Sequence, residues 1–486
     1  MLSPSSLGDA RPLRDTRPLL LRPVLARLLL VLGLVAINVA VGLQWQRLPL
    51  TLILAAAAAA GLAVLALRDM PAALSLFVVS AAIVSFSLGT GTKSNLNVAM
   101  LMVGLFSGIW LLRMLMTRQF RLVRTPLNLP LFAFLVAGMV SWIYGLAVAG
   151  LPGGLRIAGL TAQVGQVGIW VLTAAIFLLA ANHPVGERTL QLWTGFLVVA
   201  GIAMMAIGIV LNQYYLLPGW SGGLYMWPVV LLLAQILFNR DLDGRLRLLG
   251  LGGLAIWGYW AVKVAIGYKS IFVPAAFAFM ILLFFKSKRL FLLVVTVAAI
   301  AVLALGTGRI DRALMAGEEY SATPIRSNLW ADVFRLGARS PLFGLGPANY
   351  TYYWSDPNFE SRSYEHVSRY AYTRQVYAPP AHNMFADLFA QTGALGLLLF
   401  TWALAGGLRL GWQALRRPLS PFGRAYAYAV LAGFAAQIVA SFVFAEWLLP
   451  YVYNLGFGNF PQAAYAWLLL GTLAWVGTPE GDGVRG

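Results

Sequence analysis

The chain has 486 residues, of which 60% are apolar and only 11% charged, a balance that excludes an ordinary water-soluble globular protein and leaves the bilayer as solvent. Its formal charge of +18 does not indicate nucleic acid, because the basic residues follow the connections between apolar segments. Cysteine is absent, which excludes disulfides and thiolate metal sites.

Residues 1–25 are rich in Arg and Pro and lack a short apolar stretch followed by a small-residue cleavage site, so they read as a cytoplasmic arm. Apolar segments of spanning length then recur, about 14 in all. They lie near 26–45, 48–67, 71–89, 94–115, 127–148, 163–182, 189–211, 222–238, 245–267, 270–285, 289–308, 383–406, 425–447 and 460–477. The expected fold class is an all-α integral membrane protein with one large extracytoplasmic loop containing short helices. Residues 26–308 would form a transmembrane bundle of about 11 helices, 309–380 the loop, 381–477 about three further helices, and 478–486 a cytoplasmic tail.

With the amino terminus in the cytoplasm, Arg68, Arg113, Arg118, Arg188, Arg240 and Lys286 join many other cations on the inner side. The short outer connections and helix ends hold only Arg47, Lys93, Arg156, Lys263 and Lys269. This is the positive-inside bias, and it puts both termini in the cytoplasm. His183, in Asn182-His183-Pro184, falls in an inner connection and reads as a solvated loop residue.

Hydropathy collapses between 309 and 380, and a long polar insertion of this kind usually carries function. A helix is expected from Pro324 to Arg339, capped by Thr323 with Pro at its first position. Leu329, Trp330, Val333, Phe334 and Leu336 form its apolar stripe, while Asn328, Asp332, Arg335 and Arg339 fall elsewhere on the wheel. The run Pro341 to Pro347 is a turn. An aromatic cluster from Tyr350 to Tyr377 follows, interleaved with Arg362, Arg369 and Arg374. Flat rings with polar tips suit sugar faces and the membrane interface alike. His366, inside that cluster, has no motif around it and reads as a solvated residue.

After Pro379-Pro380, His382 stands at the amino terminus of a hydrophobic helix, where the macrodipole disfavours an imidazolium and keeps the ring able to accept a proton. Asn383, Asp387 and Gln391 repeat at four-residue spacing and make one polar stripe on that helix. A carboxylate one turn below the interface faces a cavity or a partner.

His382-Asn383, nine residues, Gly393, two residues and Gly396 resemble the signature of the O-antigen ligase family. Upstream, Arg326, Trp330 and the Pro341-Leu342-Phe343-Gly344-Leu345-Gly346 turn with Asn349 resemble a segment of the same ligase and polymerase superfamily. Arg326 with Gly337 also fits a polymerase Arg-x10-Gly pattern. The resemblance implies an enzyme of the bacterial cytoplasmic membrane that transfers a glycan from a polyprenyl diphosphate carrier to an acceptor hydroxyl outside, without metal or cofactor. Its partners would be the lipid-linked glycan donor, a glycan, lipid or protein acceptor, and membrane lipids.

Departure of a diphosphate develops negative charge that preorganised cations must meet, and the attacking hydroxyl gains from a base. By resemblance, Arg326 is the first choice for the diphosphate and His382 for the base. Lys269 stands where the family has the Arg of a Ser-Arg pair, keeping charge but losing the bidentate fork. Arg156 and Arg335 are further substrate-binding candidates, with Asn383 and Asp387 fixing polar geometry around the acceptor. Two other readings remain: a polymerase of the same superfamily, and, from a different class, a flippase or transporter of lipid-linked sugars.

Single cysteines in a chain without native ones report topology without background. Ser361→Cys should be labelled by an impermeant reagent on intact cells and Ser420→Cys should not; outside labelling at Ser420→Cys would overturn the orientation.

Overall fold

The computed structural model describes residues 48–84, 87–89, 95–148, 158–213, 222–265, 269–305, 323–351, 381–443, 447–453 and 456–478. The chain divides into two units at Gly61. Of the first, the described residues are the opening turns of helix α1 (Leu48–Arg68). The second, 62–486, holds the rest, and its described residues are all-α apart from one short hairpin.

The close spacing of α1 and α2 (Met70–Ile83) rests on Asp69. Its backbone leaves the helical region, and its side chain accepts from the Ala72 N–H at 2.9 Å, so one residue ends one helix and caps the next. The apolar segment expected to run helically to 89 stops at Ile83. Instead β1 (Ser87–Gly89) pairs antiparallel with β2 (Asn95–Asn97), aligning Leu88 with Leu96. Asn97 then caps α3 (Val98–Thr117) through Met100 N–H.

The helices that follow are α4 (Asn128–Val148), α5 (Leu160–Asn182), α6 (Glu187–Leu211), α7 (Gly222–Phe238), α8 (Gly244–Lys263), α9 (Lys269–Lys286) and α10 (Lys288–Leu305). After them come α11 (Thr323–Gly337), α12 (Met384–Leu415), α13 (Pro421–Val443) and α14 (Phe460–Thr472). A helix thus lies at each expected apolar segment except 26–45, which is outside the described residues. Six of them, α3, α4, α5, α6, α12 and α13, are long and apolar enough to cross a membrane. Their large apolar side chains point outward as well as inward: Val199 of α6 and Leu398 of α12 are 70% and 67% exposed, the pattern expected where lipid replaces water.

The centre of the bundle is α14, buried over its whole length. A helix apolar all round belongs in such a place. Trp467 meets Phe177 of α5, Phe400 of α12 and Phe434 of α13, and its indole N–H donates to Leu448 O at 2.8 Å. At Gly471 an added Cβ would lie 2.7 Å from Phe177 O, so only glycine lets α14 and α5 approach this closely. Around this centre α13 packs on α7, α9 and α12, α12 on α4, and α6 on α7 and α8.

His183 departs from its expected solvated state. It ends α5 half-buried, its Nδ1 2.8 Å from Leu179 O and its ring edge-on to Trp110 at 5.7 Å. Burial pushes its pKa below the ordinary 6.5, with the Arg113 charge adding and the Leu179 carbonyl opposing. Unfolding restores the ordinary value, so below about pH 6.5 the unfolded chain binds the proton in preference to the folded one. Stability is therefore full above that pH and declines below it. Thermal unfolding of the purified protein should fall more steeply from about pH 7 to pH 5 than that of His183→Gln; equal slopes would remove His183 as the cause.

Candidate functional site

The local construction begins at a break in α12. Gly393 has φ 65 and ψ −169 inside an otherwise helical run, a conformation open only to glycine. The break disengages backbone groups on both sides, and the turn at 341–346 takes them up. Leu345 and Gly346 donate to Ala390 O and Gln391 O at 2.8 and 3.0 Å, while Ala394 and Leu395 donate to Pro341 O and Leu342 O at 2.7 and 3.2 Å. Contact is so close that a Cβ on Gly393 would sit 2.3 Å from the Leu342 carbonyl, and one on Gly344 2.4 Å from that of Gln391. Both glycines have positive φ. The Pro-Leu-x-Gly-x-Gly turn and the first glycine of the downstream signature are thus two halves of one backbone joint.

The joint is held from α4 and from the residues just before α5 as well. Ser141 of α4 donates to Gln391 O at 2.6 Å. Asn349 is wholly buried, accepting from Ala158 N–H at 3.1 Å and donating to Leu345 O at 3.0 Å. Gln391 accepts from Ala348 N–H at 3.1 Å and donates to Asp387 O at the same distance. These side chains serve the backbone, satisfying buried polar groups that the joint leaves exposed.

Two turns nearer the helix start stands Asp387, buried and bound to the Tyr350 hydroxyl and, at 3.3 Å, to Ala381 N–H. Tyr451 stacks on Tyr350 with centroids 5.0 Å apart and its hydroxyl 3.5 Å from Thr351 Oγ1. Burial, aided by the Asp387 charge, drives the Tyr451 phenol well above its ordinary pKa, so it stays neutral. Gln166 of α5 pins the segment that presents Tyr451, donating to Pro450 O at 3.1 Å and accepting from Val452 N–H at 2.8 Å.

His382 lies between two anchored neighbours. On one side the Ala381 carbonyl accepts from Trp330 Nε1 at 2.8 Å and the Ala381 N–H is held by Asp387. On the other, Asn383 is the cap of α12, its Oδ1 accepting from Phe385 and Ala386 N–H at 3.0 and 3.1 Å. His382 itself is half-exposed with φ 51, a left-handed conformation in which a non-glycine residue needs support from its surroundings. The helix cap is therefore Asn383, and His382 precedes it.

The expected site residues fall into three groups. His382, Asn383 and Asp387 come together at the head of α12; Asn383 and Asp387 are buried there, the first engaging backbone N–H groups through Oδ1 and the second Tyr350 and Ala381. Arg335, 44% exposed, forms an ion pair at 3.3 Å with Asp332, which is wholly buried despite its expected place on the polar face. Phe334, expected on the buried stripe, is 40% exposed and meets Phe389 at 5.7 Å. Arg326 lies on α11 one turn before Trp330, and Lys269 opens α9. The far end of α9 meets Tyr428 and Trp412 through Phe285, at the opposite end of the bundle, so Lys269 begins at the His382 end. The side chains of Arg326 and Lys269 lie outside the described residues, as do Arg156, His366 and the aromatic run of 352–380. Tyr451 and Gln166 carried no signal in the sequence, whereas Trp330 stood in the family-like segment, Tyr350 at the start of the aromatic cluster and Gln391 on the polar stripe.

Residues 264–401 match the family model described as O-antigen ligase. The match runs from the start of α9 through the joint to α12 and includes Lys269, Arg326, Arg335, His382, Asn383 and Asp387. A search of curated proteins finds no significant match to the chain.

The joint makes a sharp demand. Gly393→Ala should lose at least about 2 kcal/mol of stability from backbone strain and collision with the 341–346 turn. Gly195→Ala, where an added Cβ meets nothing within 4 Å, should be nearly neutral. Equal thermal unfolding of the two variants would contradict the joint's role.

Proposed function

We propose, from the premise that residues 264–401 carry an O-antigen ligase domain, that this membrane protein transfers a glycan from a polyprenyl diphosphate carrier to an acceptor hydroxyl. The reaction takes place on the outer face of the bacterial cytoplasmic membrane. In this reading about 14 helices span the bilayer, both termini are cytoplasmic, and 309–380 lies outside.

The observation that carries the reading is the mounting of His382. A non-glycine residue in a left-handed conformation persists only where neighbours over-determine it, and here the residues before and after are each anchored by side-chain bonds. With Asn383 as cap, helix capping does not account for a histidine at 382. The ring takes the proton from the acceptor hydroxyl as its oxygen attacks the anomeric carbon; the bond from that carbon to the diphosphate oxygen breaks, and the polyprenyl diphosphate departs with the electron pair. Arg326 and Lys269 meet the charge that develops on it, with Arg156 and Arg335 as further cations. Asp387, through Ala381 N–H and Tyr350, orients the histidine and touches no substrate.

A ligase hands the finished glycan to a different acceptor, whereas a polymerase hands it to a second lipid-linked glycan, and both reactions use this donor site. The ligase is favoured by the His382-to-Gly396 signature, and the acceptor is identified by assay against lipid, glycan and protein hydroxyls.

Turnover of folded variants with a defined polyprenyl diphosphate glycan tests the assignment. His382→Ala should lower the chemical rate by about 10² to 10⁴. Arg326→Ala should lose most activity with Arg326→Lys recovering little, while Lys269→Arg is tolerated. His382→Ala within about threefold of wild type, a loss under about 1 kcal/mol, would remove the base.

A further inference from the structure

A cleft of about 840 Å³ opens between α6, α7 and α8. It belongs to the end of the bundle away from His382: α12 starts at the site and finishes at Leu415, and the residues just beyond form the cleft's rim. The rim is polar. Ser420 donates to Glu187 Oε2 at 2.6 Å, and Gln191 and Asp241 stand beside them. Arg240 lies in the α7–α8 connection, and Arg188, Arg245 and Arg424 in the first turns of α6, α8 and α13.

Just inside the rim are two buried polar side chains, Thr194 and Gln235, each 6% exposed. The amide orientation of Gln235 follows from its neighbours. Asn239 Oδ1 accepts from Asp241 N–H at 3.1 Å, so its Nδ2 faces Gln235 and donates to Oε1 at 2.8 Å. Gln235 Nε2 is then the amide atom left over, and neither it nor Thr194 Oγ1, both on residues that line the cleft, has a hydrogen-bond partner among the described residues. Buried donors of this kind call for an acceptor. Beyond them the walls are apolar: Val198, Ile202, Ala203 and Ala206 on one side, Leu246 and Leu249 on the other. From Thr194 to Ala206 the helical rise gives a gutter of about 18 Å, close to the roughly 15 Å of hydrocarbon in one leaflet.

A polar rim, acceptor-seeking groups one to two turns in, and a gutter one leaflet deep follow the order of headgroup, ester and acyl chain. We propose that this cleft is a binding site for an ester-linked membrane phospholipid, its ester carbonyls accepting from Gln235 Nε2 and Thr194 Oγ1 and one acyl chain lying along α6. A polyprenyl chain matches the apolar gutter but offers no acceptor at that depth. The site is remote from His382, so its failure would leave the glycan-transfer reading intact.

The purified full chain, stripped of lipid by detergent washing, is titrated with dioleoyl phosphatidylglycerol and with its dioleyl diether analogue, and bound lipid is followed by native mass spectrometry. The wild type should hold the ester lipid about threefold to tenfold more tightly than the diether, the worth of a neutral hydrogen bond. Gln235→Leu should bind the two alike. Ala203→Trp, which fills the gutter from an exposed position, should bind neither tightly, and Gly195→Leu, with open space around it, is a second blocking variant should Ala203→Trp not fold. Equal ester and diether binding by the wild type, undiminished binding by a folded blocking variant, or equal affinity for a polyprenyl monophosphate would each overturn the proposal.

Discussion

The site depends on a helix that is broken so that a turn can be bound to it. A continuous helix consumes its own backbone groups, and nothing can dock on it except through side chains. By leaving the helical conformation at Gly393, α12 gives up bonds across one turn and offers carbonyls on one side and N–H groups on the other. The 341–346 turn completes both sets with four backbone hydrogen bonds. Because the bonds are short and directional, the turn has one register, and Tyr350 a few residues later has one position relative to Asp387.

From this joint, order spreads outward to the histidine through side chains. Asp387 holds Tyr350 and Ala381, Trp330 holds Ala381 from α11, and Tyr451 stacks on Tyr350 from the segment after α13. His382 itself remains half-exposed while its backbone is fixed from both neighbours. Binding sites work best when groups are held before the ligand arrives, since freezing them afterwards costs affinity and rate. Asp387 is the hub of this arrangement, which explains a carboxylate buried in an otherwise apolar helix.

The sequence made some of this readable and hid the rest for identifiable reasons. Apolar length gave the positions of the helices, because a membrane chain must satisfy its backbone internally. It did not reveal that α14 is central while α6 faces outward, since a uniformly apolar helix carries no mark of which neighbour it meets. The polar stripe of Asn383, Asp387 and Gln391 was visible at four-residue spacing. Its partners were not: Tyr350 is one ring among many in that stretch, and the joint is built from backbone atoms that leave no trace beyond a few glycines. Asp332 was assigned to the polar face because a wheel cannot register that Arg335, one turn on, reaches back to a buried carboxylate. Spacing likewise put His382 at the helix start but could not tell it from the true cap one residue later, a distinction that resides in the backbone angles and in the bonds that Asn383 Oδ1 accepts.

The two anchors on Asp387 also say something about how such a chain can vary. Tyr350 and Ala381 are the two feet of the insert 352–380, and one carboxylate oxygen grips both. The insert is therefore closed at its base by contacts that do not involve its own residues. For a closed loop, each doubling of length costs only about 0.6 kcal/mol, so the insert is free to lengthen, shorten or change composition while the histidine beside its base stays where it is. A chain organised in this way can vary the insert without rebuilding the backbone around His382: the insert is the interchangeable part, and the clamp at Asp387 is its chuck.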